Sequence, residues 1–368
     1  VQATFFVWDL HGASAGFIAG ALKLIEIMPR KDFVELLRTI ANVHGLEFKA
    51  VSHDWIIQLR DAAAGRVCSV FGYTFDLNPA AAVEICKEKS ATSLILSNYS
   101  IPHVAHEVFL NPAHPATCDF VAKGGNWKTI QTLVQTWGFP VVLKPLKGSG
   151  GLGVTRCSCM REVEAAVQQI FEKDYGLAIC PYKKVIDEYR CFHLDGAVEL
   201  IYRKVRPSVL GDGVATVGEL LGRALTAARM EEQSALNLAR SAAELTAEEL
   251  DRIPNTGESV PLQWKHNLGQ GAKLDFAVPD GQRERLTALA VQAAGAIGIR
   301  FCSVDIMDVE GEGLSVIEVN SGVMMDSLMG QLGEEGITLA RRLYETAVLR
   351  SLGRDSVNEP PGPKRHKA

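Results

Sequence analysis

The chain has 368 residues, 47% of them apolar and 22% charged, with a formal net charge of −5. That length predicts two or three structural units, and that composition excludes disorder over most of it. A general nucleic-acid binder should be basic, so the acidic balance speaks against nucleic-acid partners. Eight cysteines are scattered (Cys68, Cys86, Cys118, Cys157, Cys159, Cys180, Cys191 and Cys302), with no CxxC pair or zinc-like spacing. They read as reduced thiols of a cytoplasmic protein. No uncharged apolar run reaches the roughly 18 residues that span a bilayer, so no membrane role is expected.

The apolar start "VQATFFVWDLHGASAGFIAGALKLIEI" is interrupted by Asp9, His11, Lys23 and Glu26, with no basic region before it. It reads as a strand over residues 4–8, a glycine-bearing loop and a helix, not as a signal peptide. "KDFVELLRTIANVHG" places Phe33, Leu36, Leu37 and Ile40 on one helix face, with Gly45 closing the helix. "LEFKAVS" and "RVCSVFG" read as short strands, making a small α/β unit over residues 1–78. A helix is expected over residues 79–96, then an extended turn before Pro102.

"WKTIQTLVQTWG" reads as a helix ending at Gly138. "FPVVLKPLKGSGGLGVTRCSC" reads as strand, glycine loop, strand, followed by a helix over residues 161–173. Two extended stretches meet at the hairpin dipeptide Asp195-Gly196. Residues 217–252 read as helical. A long helix is expected over residues 281–297, then strands "FCSVDIMDVE" and "LSVIEVN" joined at "GEG", and a last helix over residues 335–352. The polar, proline-rich residues 353–368 read as a disordered tail.

Three features can carry chemistry. The loop "LKGSGGLGV" holds Gly148, Ser149, Gly150, Gly151 and Gly153 between two strands. Its glycines free backbone N–H groups to point at one anion, and Lys144 and Lys147 add charge, which suits a polyphosphate. A dinucleotide-binding fold would need a helix opening directly from the loop, and a Walker A loop would need Gly-Lys-Ser/Thr; neither is present. The second feature is the acid hairpin. Glu318 and Asn320 are two apart on one strand and share a face, with Asp305 placed to lie opposite. An all-oxygen set of this kind suits Mg²⁺ held together with substrate phosphates. The third is Lys89, Lys144 and Lys265, each in or beside apolar or glycine-rich context. Taken singly, each of the three features also has an ordinary structural reading, as a bare glycine hairpin, surface acids or surface lysines.

The order of these motifs resembles the ATP-grasp superfamily over about residues 75–350. "CKEKSATSLILSNYSIPHV" is similar to the family's opening Lys-x-x-Thr helix, with Lys89 and Thr92 in place. "FPVVLKPLKGSGGLGV" is similar to its second lysine and glycine loop, "DEYRCFHLDG" to its Glu-Tyr-Arg strand, and "VDI…VIEVN" to its magnesium hairpin. "VLGDGVATVGELL" and "NLGQGAKLD" resemble segments of cyanophycin synthetase and of the ATP-grasp half of bifunctional glutathione synthetases.

The resemblance implies an α/β (α+β) ATP-grasp fold. A small amino-terminal domain would be followed by a linking segment (79–135), a small subdomain with a glycine-rich lid (136–205) and a carboxy-terminal subdomain with the magnesium site (206–352). It implies that Lys89, Lys144, Lys147 and the glycine loop hold the phosphates of ATP, that Glu188 binds the ribose, and that Pro181 and Tyr182 stand at the adenine hinge. It further implies two Mg²⁺ ions on Asp305, Glu318 and Asn320, with Mn²⁺ able to substitute. Lys265, Arg190 and Arg203 are the candidates for stabilising a tetrahedral oxyanion.

Three departures stand out. Pro181 and Tyr182 replace the acids usual at the hinge, Lys204 stands where an arginine is usual, and "SGVMMDS" lacks the usual proline-glycine turn. The expected activity is ATP-dependent joining of a carboxylate to an amine, on amino acids or small peptides, through an acyl phosphate. A phosphotransferase on the same scaffold and a nucleotide-binding regulatory protein remain alternatives. A homodimer is expected from family habit alone.

Overall fold

A computed structural model of the chain describes residues 30–121, 126–148, 151–227, 245–279 and 281–354. The expected strand at residues 4–8, Ser149 and Gly150 of the glycine loop, residues 228–244 and the tail from 355 lie outside the described residues.

Helix α1 (Arg30–Val43) buries Phe33, Leu36, Leu37 and Ile40, the one-face spacing seen in the sequence. It covers an antiparallel sheet of β1 (Glu47–Val51), β2 (Ile56–Asp61), β3 (Arg66–Phe71) and β4 (Thr74–Phe75), paired in chain order. Ile57, Leu59, Cys68 and Val70 point into its core.

The single helix expected over residues 79–96 is two, α2 (Ala80–Lys87) and α3 (Lys89–Asn98), broken at Glu88, which is extended at φ −117° and ψ 117°. The Thr92 hydroxyl donates to the Ile85 carbonyl at 2.9 Å across the break. Lys89 thereby opens α3 instead of lying inside a longer helix.

A second antiparallel sheet, in the order β5-β8-β6-β7, is built from β5 (Glu107–Leu110), β6 (Val141–Pro145), β7 (Thr155–Cys157) and β8 (Gly176–Pro181). Helices α4 (Trp127–Trp137) and α5 (Met160–Phe171) pack on one of its faces, onto Val141, Leu143, Leu177 and Ile179. Strand alternation turns Val142 and Lys144 to the opposite face.

The central sheet begins with β9 (Val185–Leu194) and β10 (Ala197–Val205), joined at Asp195 and Gly196, both at positive φ as a tight hairpin turn requires. A side module follows, with β11 (Ser208–Leu210), α6 (Val217–Ala227), α7 (Ala247–Asp251) and β12 (Ser259–Pro261) around a small core of its own. Strand β13 (Lys273–Asp275), helix α8 (Gln282–Ile297), β14 (Phe301–Val309), β15 (Gly313–Asn320), α9 (Asp326–Leu332) and α10 (Glu334–Ser351) complete the chain. The central sheet runs β13-β10-β9-β14-β15, with neighbours antiparallel.

Its two faces differ along every strand. One face (Tyr189, Cys191, Ile201, Val304, Ile306) packs under α8 with residues of α2 and α3. The other carries Phe192, Tyr202 and Phe301 against α1, α10 and the first sheet. Beyond them the same face turns polar at Glu188, Arg190, Lys204 and Asp305, then meets the second sheet. The chain is therefore a mixed α/β fold of antiparallel sheets, as expected. No described helix is long and apolar enough to cross a membrane.

Candidate active site

Strand register assembles the polar part of this face. Arg190 pairs with Tyr202 on one side and Asp305 on the other, Asp305 pairs with Glu318, Ser303 with Asn320, and Glu188 with Lys204. Direct cross-strand partners share a face, so Arg190, Asp305 and Glu318 form one row.

Asp305 is 1% exposed. Arg190 grips it side-on, Nε donating to Oδ1 and Nη2 to Oδ2, both at 2.7 Å. Lys204 Nζ stands 2.9 Å from Oδ2 and donates to Glu188 Oε1 at 2.6 Å. Burial alone would raise the Asp305 pKa. The guanidinium and the ammonium outweigh it and hold the carboxyl well below the usual carboxylate range. Glu188 is shifted the other way, because burial and the charge of Asp305 together exceed the help from Lys204. Two cations and two carboxylates thus balance inside the fold, as buried charges must.

The lysines gather at the facing edge. Lys89 Nζ donates to the Gly148 carbonyl at 3.2 Å. Burial lowers its pKa, opposed by the charge of Glu318 and reinforced by that of Lys144. Lys144, on the cleft side of β6, donates to His106 Nε2 at 3.0 Å. His106 is buried and pushed well below its ordinary pKa by burial and then by Lys144. Its Nδ1–H donates to the Val104 carbonyl at 2.8 Å, so a neutral ring presents Nε2 as acceptor. Gly148, Gly151 and Gly153 all lie at positive φ. At Gly151 a Cβ would stand 3.1 Å from Asn267 Nδ2, so the loop passes close over the 265–267 segment. Lys147 lies with Nζ 5.5 Å from the centre of the Tyr175 ring.

Between the two sheets lies an apolar patch of Val104, Val142 and Cys180, with Val154, Tyr182, Trp264, Met307 and Ile317 packed on it. Pro181 ends β8, and the Tyr182 N–H is taken by the Pro140 carbonyl at 3.1 Å. The Tyr182 and Trp264 rings meet edge-on at 5.9 Å, with Arg156 over the former and Lys265 over the latter. A flat apolar base fits such a lining, and charged phosphates fit the lysine edge beside it.

Two expected roles need correction. Arg203 does not face the cleft. It lies on the opposite face of the sheet, in ion pairs with Asp187 at 3.5 Å and Asp275 at 2.6 Å, because it is one residue out of phase with Lys204. Asp305, expected to hold a metal, is instead engaged by Arg190 on both oxygens and by Lys204 on one. Glu318 and Asn320 fit a hard divalent ion by their chemistry, with Asn320 Nδ2 donating to Glu318 Oε1 at 3.1 Å. Among the described residues, no cluster of three or more His, Cys, Asp or Glu could hold a metal. Glu188, Arg190, Glu318 and Asn320 share one face of the central sheet, and Lys89 lies near Lys144 and Glu318 at the facing edge. Lys265 borders the glycine loop.

Sequence reasoning missed Lys204, His106, His266 and Trp264 as site residues. Lys204 carried a signal, standing three before the proline of "RKVRP" and in phase with Tyr202 across from Glu188 and Arg190. His106 carried none, because its partner Lys144 is 38 residues away.

No family model matches the chain. It is 27% identical over 247 residues to the bifunctional glutathione biosynthesis protein of Lactiplantibacillus plantarum, covering 65% of this chain and 31% of that protein. It is 24% identical over 241 residues to the cyanophycin synthetase of Trichormus variabilis, covering 61% and 24%. The chain thus spans less than a third of the length of either relative. The crystal structure of D-alanine–D-alanine ligase from Bacillus anthracis complexed with ATP aligns over 75% of this chain and 70% of that one, at 16% identity and a TM-score of 0.49. The two sequence relatives bear out the ATP-grasp resemblance carried by the order of motifs.

Proposed function

We propose that this chain, related in sequence to ATP-grasp ligases, uses ATP to join a carboxylate to an amine, on amino acids or small peptides. The observation that carries the reading is the placing of Lys89 among the Gly148 carbonyl, Lys144 and Glu318, at the rim of an apolar slot between two sheets. When bound, Mg·ATP supplies a γ-phosphoryl group that converts the carboxylate to an acyl phosphate, which the amine then attacks.

The chain's own residues do the positioning. Lys89 and Lys144 hold phosphate oxygens; His106, neutral and accepting from Lys144, keeps that ammonium directed. Val142, Cys180, Met307, Ile317 and Tyr182 take the base. Glu318 and Asn320 hold the metal. Arg190 and Lys204, fixed by Asp305, set positive charge where an oxyanion develops, and Lys265 adds to it from the rim. Arg203 has no part in this set.

The test is phosphate release from Mg·ATP against single amino acids and pairwise mixtures, with the mass of each product. Release confined to certain pairs, with a product equal to their sum less water, supports the ligase and names both substrates. A product heavier by one phosphoryl group, without free phosphate, would assign a phosphotransferase instead. Glu318→Ala is expected to abolish turnover while the fold persists.

A further inference from the structure

Asp305 and Glu318 are direct partners on neighbouring strands, yet they meet different surroundings. Asp305 receives two bonds from Arg190 and a third contact from Lys204, and almost none of it reaches solvent. Lys204 is itself 4% exposed and shared with Glu188. A divalent ion bound directly to Asp305 would sit about 2.1 Å from its oxygen and so close beside two fixed cations, in surroundings that screen little. Glu318 is half-buried, and its bonded neighbour, the Asn320 amide, carries no charge.

We propose that the site holds one divalent ion, on Glu318 and Asn320, and that Lys204 and Arg190 supply built-in positive charge where a second ion on Asp305 would otherwise stand. The inference rests on the nucleotide reading above and departs from the two-ion expectation. Asp305 is then a positioning residue. It fixes the guanidinium and ammonium heads that face the phosphates, while Glu318 and Asn320 alone among the three touch the metal.

The experiment counts bound Mn²⁺ on the full chain by the electron paramagnetic resonance of free Mn²⁺, alone and with an equimolar non-hydrolysable ATP analogue. One Mn²⁺ per chain is expected with the analogue. Glu318→Gln should weaken it at least tenfold. Asp305→Asn alone strips two buried cations of their partner and risks the fold, so Asp305→Asn combined with Lys204→Met keeps the charges balanced; it should bind Mn²⁺ within about twofold of the unaltered chain. Lys204→Met alone, which removes one of the two cations at Asp305 and leaves Arg190 on both its oxygens, should admit a second Mn²⁺, an effect no purely structural role produces.

Two Mn²⁺ on the unaltered chain, or a double variant that fails as Glu318→Gln does, would overturn the proposal. A count unchanged by Lys204→Met would remove the role given to Lys204. Failure of the analogue to bind would contradict the nucleotide reading instead, and the ranking of variants with Mn²⁺ alone would still decide the ligands.

Discussion

At His266, burial decides the charge of a side chain beside the candidate site. The ring is 6% exposed, donates from Nδ1 to the Lys204 carbonyl at 2.8 Å, and is pushed down from its ordinary 6.5 to about 4, chiefly by burial. The unfolded chain therefore binds more protons than the folded one between these values, so stability falls as pH falls from about 6.5 to about 4. That difference corresponds to roughly 3 kcal/mol at most. His106 is shifted in the same direction and adds to the slope. Thermal unfolding over this range should show a shallower loss in His266→Asn; an unchanged slope would contradict the assignment. The two arginines make a second contrast. Arg190→Met leaves Asp305 and Glu188 with Lys204 alone, and should cost both activity and about 3–5 kcal/mol of stability. Arg203→Met, on the far face, should leave turnover within a few-fold, which steady-state rates will show.

Among the elements, α9 and α10 meet with almost no space between them. A Cβ on Gly336 would lie 2.4 Å from the Leu328 carbonyl oxygen, so Gly336→Ala must push α10 away from α9. Such overpacking should cost about 1–3 kcal/mol, read as a lowered denaturant midpoint with an unchanged slope. Most elements were legible because one local signal fixed each. The spacing of Phe33, Leu36, Leu37 and Ile40 gave α1, and Asp195-Gly196 gave the β9–β10 turn. The break between α2 and α3 was not legible. The apolar pattern runs on through Glu88, and the kink depends on its extended backbone and on Thr92 bonding back to Ile85.

For the molecule as a whole, the first sheet and the central sheet share one core. Phe75 stacks on Tyr344 at 5.8 Å and meets Phe301 at 5.4 Å, and Phe33 meets Tyr344 at 4.9 Å. Phe75→Ala should therefore cost about 3–5 kcal/mol and lower the unfolding of both units together, as one calorimetric transition. Two separate transitions would contradict a shared core. The outline of the candidate site was legible because its parts recur in a fixed order, from Lys89 through Lys144 and the glycine loop to Glu318 and Asn320. Its charge pairing was not. Arg190 and Asp305 are 115 residues apart, and their meeting, like the turning away of Arg203, follows from strand register.

The central claim is that this chain activates a carboxylate by phosphorylation, and the most direct measurement follows oxygen. The acid that supports phosphate release is labelled with ¹⁸O in its carboxylate and incubated with Mg·ATP and its amine partner, and the released phosphate is weighed. One ¹⁸O per phosphate is the predicted result, because the acyl phosphate leaves with a carboxylate oxygen. Phosphate free of label, with both ¹⁸O atoms kept by the acid or its product, would contradict the account.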